Sequence, residues 1–99
     1  MVRKIKFIAY GQRWFDKMNG NTYHSVKITR LKDDKVLTCP MQYGYDDAYK
    51  QTALTAMVRA GWIKKYTLDN AYMFERENDY PIHWEVWDGL KRDCVANGN

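Results

Sequence analysis

The chain is poor in the residues that most often carry chemistry. Its 99 residues include two Cys, two His and two Pro. Two thiols, Cys39 and Cys94, are too few for a disulfide framework. No signal peptide is expected before them, since Lys4 to Ile8 already reads as a strand. Reduced thiols and a cytoplasmic location are therefore the expectation. No apolar run approaches the ~20 residues of a membrane-spanning helix, so no membrane partner is expected. Gly-rich phosphate loops, internal repeats, low-complexity stretches and linkers are all missing. Residues 1–99 read as a single domain.

Aromatic residues are abundant: four Trp, eight Tyr and three Phe. They supply much apolar area per residue, so a chain this short can still bury a core. The formal charge is +4, from sixteen Lys and Arg against twelve Asp and Glu. That is a mild excess, with acids mixed in nearly everywhere. It fits a soluble protein that tolerates an anionic partner, and it falls short of a dedicated DNA binder.

The patterning predicts an α+β fold. Lys4 to Tyr10 reads as a first strand, which continues toward Lys17. Asn19-Gly20 has the chemistry of a type I′ hairpin turn. Thr22 to Leu31 is a second strand, with His24, Val26 and Ile28 on one face. Asp33-Asp34 offers a polar turn before a third strand, Val36 to Met41. Pro40 removes a donor near its end, so this end is expected to lie at a sheet edge or to leave the ladder. Asp47 to Ala60 is the best helix, with Asp46 as its N-cap and Gly61 as its C′ residue. Tyr49, Ala53, Ala56, Met57 and Ala60 form its apolar stripe. Ala71 to Glu77 and Ile82 to Trp87 are expected to pair as a C-terminal hairpin around Asn78-Asp79-Tyr80-Pro81. Gly89 to Val95 is expected to be a short terminal helix. The expected architecture is an antiparallel β-meander of three strands plus that hairpin, packed against one main helix.

No reaction motif emerges. His24, His83, Cys39 and Cys94 have the right softness for zinc, but no two of them form a close pair. Cys94 beside Asp93 lacks the positive setting that activates a thiolate. Asp33-Asp34 and Asp46-Asp47 are accounted for by a turn and a helix start, so no metal, cofactor or catalytic residue is assigned. Bases interleaved with aromatics are the more informative pattern. Arg13, Trp14, Phe15, Lys17, Tyr23 and Lys27 crowd the first two strands, followed by Tyr43 and Tyr45. Exposed Tyr and Trp near Arg make good protein-binding anchors. A basic sheet face with stacking rings is also how small folds hold single-stranded nucleic acid. Tyr43, Tyr45, Tyr49 and Arg59 suggest a third option, a nucleotide pocket.

The strings from Tyr10 to Tyr23 and from Gln42 to Ala53 resemble small uncharacterised proteins of tailed bacteriophages and prophages. The resemblance covers about half of the chain and brings no catalytic residues with it. It implies an accessory protein in the cytoplasm of a bacterial host. Such a protein would bind, and inhibit, a host protein or nucleoprotein complex, in the manner of an anti-defence factor. The alternatives are a single-stranded nucleic-acid-binding protein and a small-nucleotide sponge. A homodimer through a sheet edge is a further expectation, with the lysines near strand one acting against pairing there.

Overall fold

A computed structural model describes residues 5–68 and 70–99. Lys4, the start of the first predicted strand, lies outside the described residues. The chain is α+β. Strands β1 (Phe7–Asp16), β2 (Asn21–Arg30) and β3 (Lys35–Tyr43) form the antiparallel meander. Helix α1 (Ala48–Arg59), a one-turn 3-10 helix (Lys65–Leu68) and helix α2 (Ala71–Glu77) follow. Strand β4 (Ile82–Asp88) and helix α3 (Lys91–Asn97) complete the fold. The sheet order is β3-β2-β1-β4, with β4 parallel to β1. None of the described helices is long and apolar enough to cross a membrane.

Two expectations are corrected here. Ala71–Glu77 is a helix, not the first arm of a hairpin. Its Ala, Met, Glu and Arg residues are good helix formers, and Phe74 alone is buried. Strand β4 therefore has no hairpin partner and pairs with β1 instead. β1 is central, and the edges are β3 and β4. The β1–β2 connection also differs from a two-residue I′ turn. Asp16 pairs with Asn21 across a four-residue loop, and only Gly20 takes positive φ, at 68°. The Asp16 carboxylate organises that loop by accepting from the Met18 N–H and the Asn19 side chain.

Pleating puts Phe7, Ala9, Gly11 and Arg13 of β1 on one sheet face, with His24, Val26 and Ile28 of β2. Helix α1 covers this face with Tyr49, Ala53, Leu54 and Met57, and the core lies between. Gly11 makes room for the Tyr49 ring, since a Cβ there would lie 2.8 Å from Tyr49 Cδ2. Gly61 ends the helix at φ 76°, as read from the sequence.

The opposite face is not left open. Helix α3 covers its middle. Ser25 Oγ donates to the Cys94 carbonyl, and Asn97 Nδ2 donates to the Tyr10 carbonyl at 3.1 Å. A buried Gly98 lets the chain end lie against β3: an added Cβ would sit 2.8 Å from the Cys39 carbonyl oxygen. The α3 contacts use small and polar residues, which carry no hydrophobic periodicity.

The β2–β3 turn is clamped by Arg30, whose guanidinium donates twice to Asp33, at 3.0 and 2.7 Å. That pairing, helped by the Lys35 N–H, holds the Asp33 carboxyl down at about 2. Its contribution is complete above the ordinary value near 3.8 and is lost as pH falls toward 2. The pair is solvent-exposed, so its effect on stability is small. An NMR titration should show the Asp33 carboxyl protonating near pH 2, well below the ordinary value of 3.8.

Candidate binding groove

Strands β1, β3 and β4 run in the same direction, so their C-terminal ends meet at the hairpin end of the sheet. There the chain forms an open groove of about 730 Å3. Its walls include Phe15, Lys17 and Met18 from the hairpin, Tyr45 from the β3–α1 corner and Leu90 from the β4–α3 link. Arg13 and Asp88 line it as well.

The apolar walls face solvent. Relative exposure is 54% for Phe15, 94% for Met18, 62% for Tyr45 and 55% for Leu90. These residues come from three separate parts of the chain, and the fold gathers them into one patch. A clustered apolar surface of this kind marks an interaction site more often than scattered exposed residues do.

Arg13 is tied down. Its Nε donates to Asp88 Oδ1 at 2.8 Å and its Nη2 to Oδ2 at 3.2 Å. Its Nη1 donates to the Asp46 carbonyl at 3.0 Å. The Asp88 bond, ahead of the cost of burial, pushes the Arg13 pKa up. Arg13 is therefore a positioning group that joins β1, β4 and the corner before α1. The groove's acids are Asp16, Asp46 and Asp88 against Arg13 and Lys17, so it carries no excess of positive charge.

The corner that presents Tyr45 is built on glycine. Gly44 has φ 157°, and its N–H donates to the Thr22 carbonyl at 3.0 Å. The Gly44 carbonyl faces His24 Nδ1 at 3.1 Å, while His24 Nε2 faces Thr52 Oγ1 at 2.7 Å. A carbonyl can only accept, so Nδ1 carries the proton and Nε2 accepts from the Thr52 hydroxyl. Asp46 follows in the left-handed region at φ 52°, which an Asp tolerates better than most residues.

The eight residues singled out from sequence divide between two faces. Arg13, Phe15, Lys17 and Tyr45 line the groove. Trp14 lines it too, but belongs to the α3 face, where it stacks on Tyr23 at 5.6 Å. Tyr43 meets Tyr23 edge-on at 6.0 Å, completing an aromatic ladder across three strands. Lys91 of α3 lies over the Trp14 ring, 5.5 Å from its centroid. Lys27 stands apart, exposed and paired with Tyr10 in the middle of the sheet. Arg13 and Lys27 therefore stand on opposite faces of the sheet. Met18, Asp88 and Leu90 were missed. An apolar Met in a polar turn was the only sequence signal among them.

The residues offered for other chemistry are dispersed. Tyr49 is buried under the sheet at 3% exposure, edge-on to Trp84. Arg59 lines a different cleft, between α1 and β3, so the suggested nucleotide pocket does not form around Tyr45. Cys39 packs in the α1-side core, Cys94 sits on the α3 side, and burial pushes both thiols up. Among the described residues no three His, Cys, Asp or Glu side chains converge as a metal site.

The fold and the groove together define a small α+β domain with an exposed, aromatic-walled apolar end. No protein-family model matches the chain, and no curated protein or solved structure matches it.

Proposed function

We propose that this is a non-enzymatic binding protein that docks its hairpin end onto a larger protein. The observation that carries the reading is the convergence of Phe15, Met18, Tyr45 and Leu90, each more than half exposed, around one groove. Partner side chains entering it would be desolvated against rings, the setting in which interface hot spots arise. Single-stranded nucleic acid fits less well. Three acids line the groove, and the Arg13 charge is already met by Asp88. Trp14 and Tyr23 also use ring faces on each other, leaving less area for bases.

The likeness of the strings Tyr10 to Tyr23 and Gln42 to Ala53 to small phage proteins supports a partner in a bacterial host. Steric occlusion of a host defence protein or nucleoprotein complex, in the host cytoplasm, is the form of the proposal that fits this size. The test is affinity capture from bacterial lysate, with and without nuclease, using the wild type and Phe15→Ala/Tyr45→Ala. A defined protein should be retained after nuclease treatment. The double variant should bind it at least about tenfold more weakly. Its Tm should hardly change, because both side chains are mostly in solvent. Capture that vanishes with nuclease would favour nucleic acid. Capture indifferent to both substitutions would place the binding surface elsewhere.

A further inference from the structure

The two sheet edges are not equivalent. Strand β3 is protected against pairing. Pro40, which has no N–H, is exposed in its middle, a register irregularity breaks its ladder between His24 and Val26, and Lys35 opens it. Strand β4 has none of these features. Its seven residues, Ile82 to Asp88, contain no Pro, no Lys and no register irregularity.

The backbone polarity of β4 follows from its pairing with β1. The Phe7 N–H donates to the Pro81 carbonyl, and the Gly89 N–H donates to the Arg13 carbonyl. Odd-numbered residues of β4 thus direct their backbone groups to β1. The N–H and C=O groups of Ile82, Trp84, Val86 and Asp88 point to the open side. Side chains alternate independently: His83, Glu85 and Trp87 stand on the α3 face and are exposed.

We infer that β4 pairs antiparallel with β4 of a second copy, in a register centred on Trp84. Backbone parity allows two-fold registers centred on residue 84, 85 or 86. Centring on 85 sets Glu85 opposite Glu85 of the other copy, which repels. Centring on 86 sets Glu85 opposite Trp87 and Trp84 opposite Asp88. Centring on 84 sets His83 opposite Glu85 twice, and Ile82 opposite Val86 twice. It is the only one of the three that sets an imidazole opposite a carboxylate and Ile82 opposite Val86; centring on 86 sets Val86 opposite Val86 but leaves the Asp88 carboxylate against the Trp84 ring. Glu85 accepts from Trp87 Nε1 at 3.1 Å. A carboxylate has lone pairs left for the second copy's imidazole. The product is one continuous sheet of four strands from each copy. Because the two β4 strands run in opposite directions, the two grooves point to opposite ends of the dimer. Such a dimer is bivalent and can bridge two partners.

Sedimentation equilibrium over a range of concentrations tests the dimer without reference to any partner. The wild type should show a monomer–dimer equilibrium. His83→Glu should weaken it by roughly tenfold, by placing like charges opposite each other at two points, and Glu85→Lys should weaken it by removing the carboxylate that faces each imidazole. The combined His83→Glu/Glu85→Lys variant should restore it, since a glutamate and a lysine then face each other at both points. Circular dichroism checks that all three variants fold; both sites are exposed, so they should. A wild type that stays monomeric, a dimer insensitive to either single change, or a combined variant that stays monomeric would each overturn the inference.

Discussion

Gly44→Ala is expected to destabilise the protein by about 4 kcal/mol, from two independent causes. A Cβ at residue 44 would lie 2.6 Å from His24 Cε1 and 2.9 Å from Ala48 Cβ. His24 is 1% exposed and hydrogen-bonded at both ring nitrogens, so it cannot swing aside. Overpacking of this kind costs about 1–3 kcal/mol. The backbone adds to it: φ 157° at Gly44 lies in a region that L side chains rarely adopt, at a further ~1–3 kcal/mol. Against a total stability of ~5–15 kcal/mol this is a large fraction. For a domain of this size Tm should fall by roughly 15–30 °C. Gly61→Ala is the control. Gly61 has φ 76° but nothing within 4 Å of an added Cβ. It should lose only about 1 kcal/mol, through backbone strain alone. Urea unfolding of both variants separates the steric term from the conformational one. Equal losses would mean that the corner is looser than described.

The second large effect is loss of stability in mild acid, through the same corner. Burial pushes the His24 pKa below its ordinary value near 6.5, opposed in part by the bond to the Gly44 carbonyl. Both groups facing the ring, the Gly44 carbonyl and the Thr52 hydroxyl, are uncharged. The folded state therefore holds His24 neutral, while the unfolded chain protonates it. The stabilisation is complete above 6.5 and drains as pH falls through the unfolded value toward the lower folded one. One proton taken up on unfolding gives a slope of at most about 1.4 kcal/mol per pH unit. The resolved carboxylate shifts, at Asp16 and Asp33, are downward, so their losses fall at lower pH. Urea midpoints measured from pH 7.5 to 5 should decline for the wild type. His24→Leu should flatten that decline. It should also cost about 2–3 kcal/mol at pH 7.5, by stripping partners from Gly44 and Thr52. A wild-type curve as flat as the variant's would contradict this account of the corner.

Much of the fold was legible because its signals are local. The alternation of His24, Val26 and Ile28, the Ala stripe of α1 and Gly61 each act within a few residues. What escaped depended on distant partners. That Ile82–Asp88 would lie beside β1 follows from a long crossover, not from anything in the strand itself. Ala71–Glu77 is short, so period 2 and period 3.6 fit it about equally well. Helix α3 docks through Ser25, Asn97 and Gly98, residues without a hydrophobic pattern. The groove was half legible: Phe15 and Tyr45 stood out as aromatic, whereas Leu90 reached it only because β4 ends beside Arg13. Arg13 itself read as a free cation, because its partner Asp88 lies 75 positions away.

The central claim is that the hairpin end is where this protein meets its partner. Site-specific photo-crosslinking tests it most directly, with a photoreactive phenylalanine analogue placed at Phe15, at Tyr45, or at the exposed β3 control Val36. In nuclease-treated bacterial lysate, adducts to one protein species should form from positions 15 and 45 and not from 36. Equal adducts from all three positions, or adducts from 36 alone, would contradict the assignment.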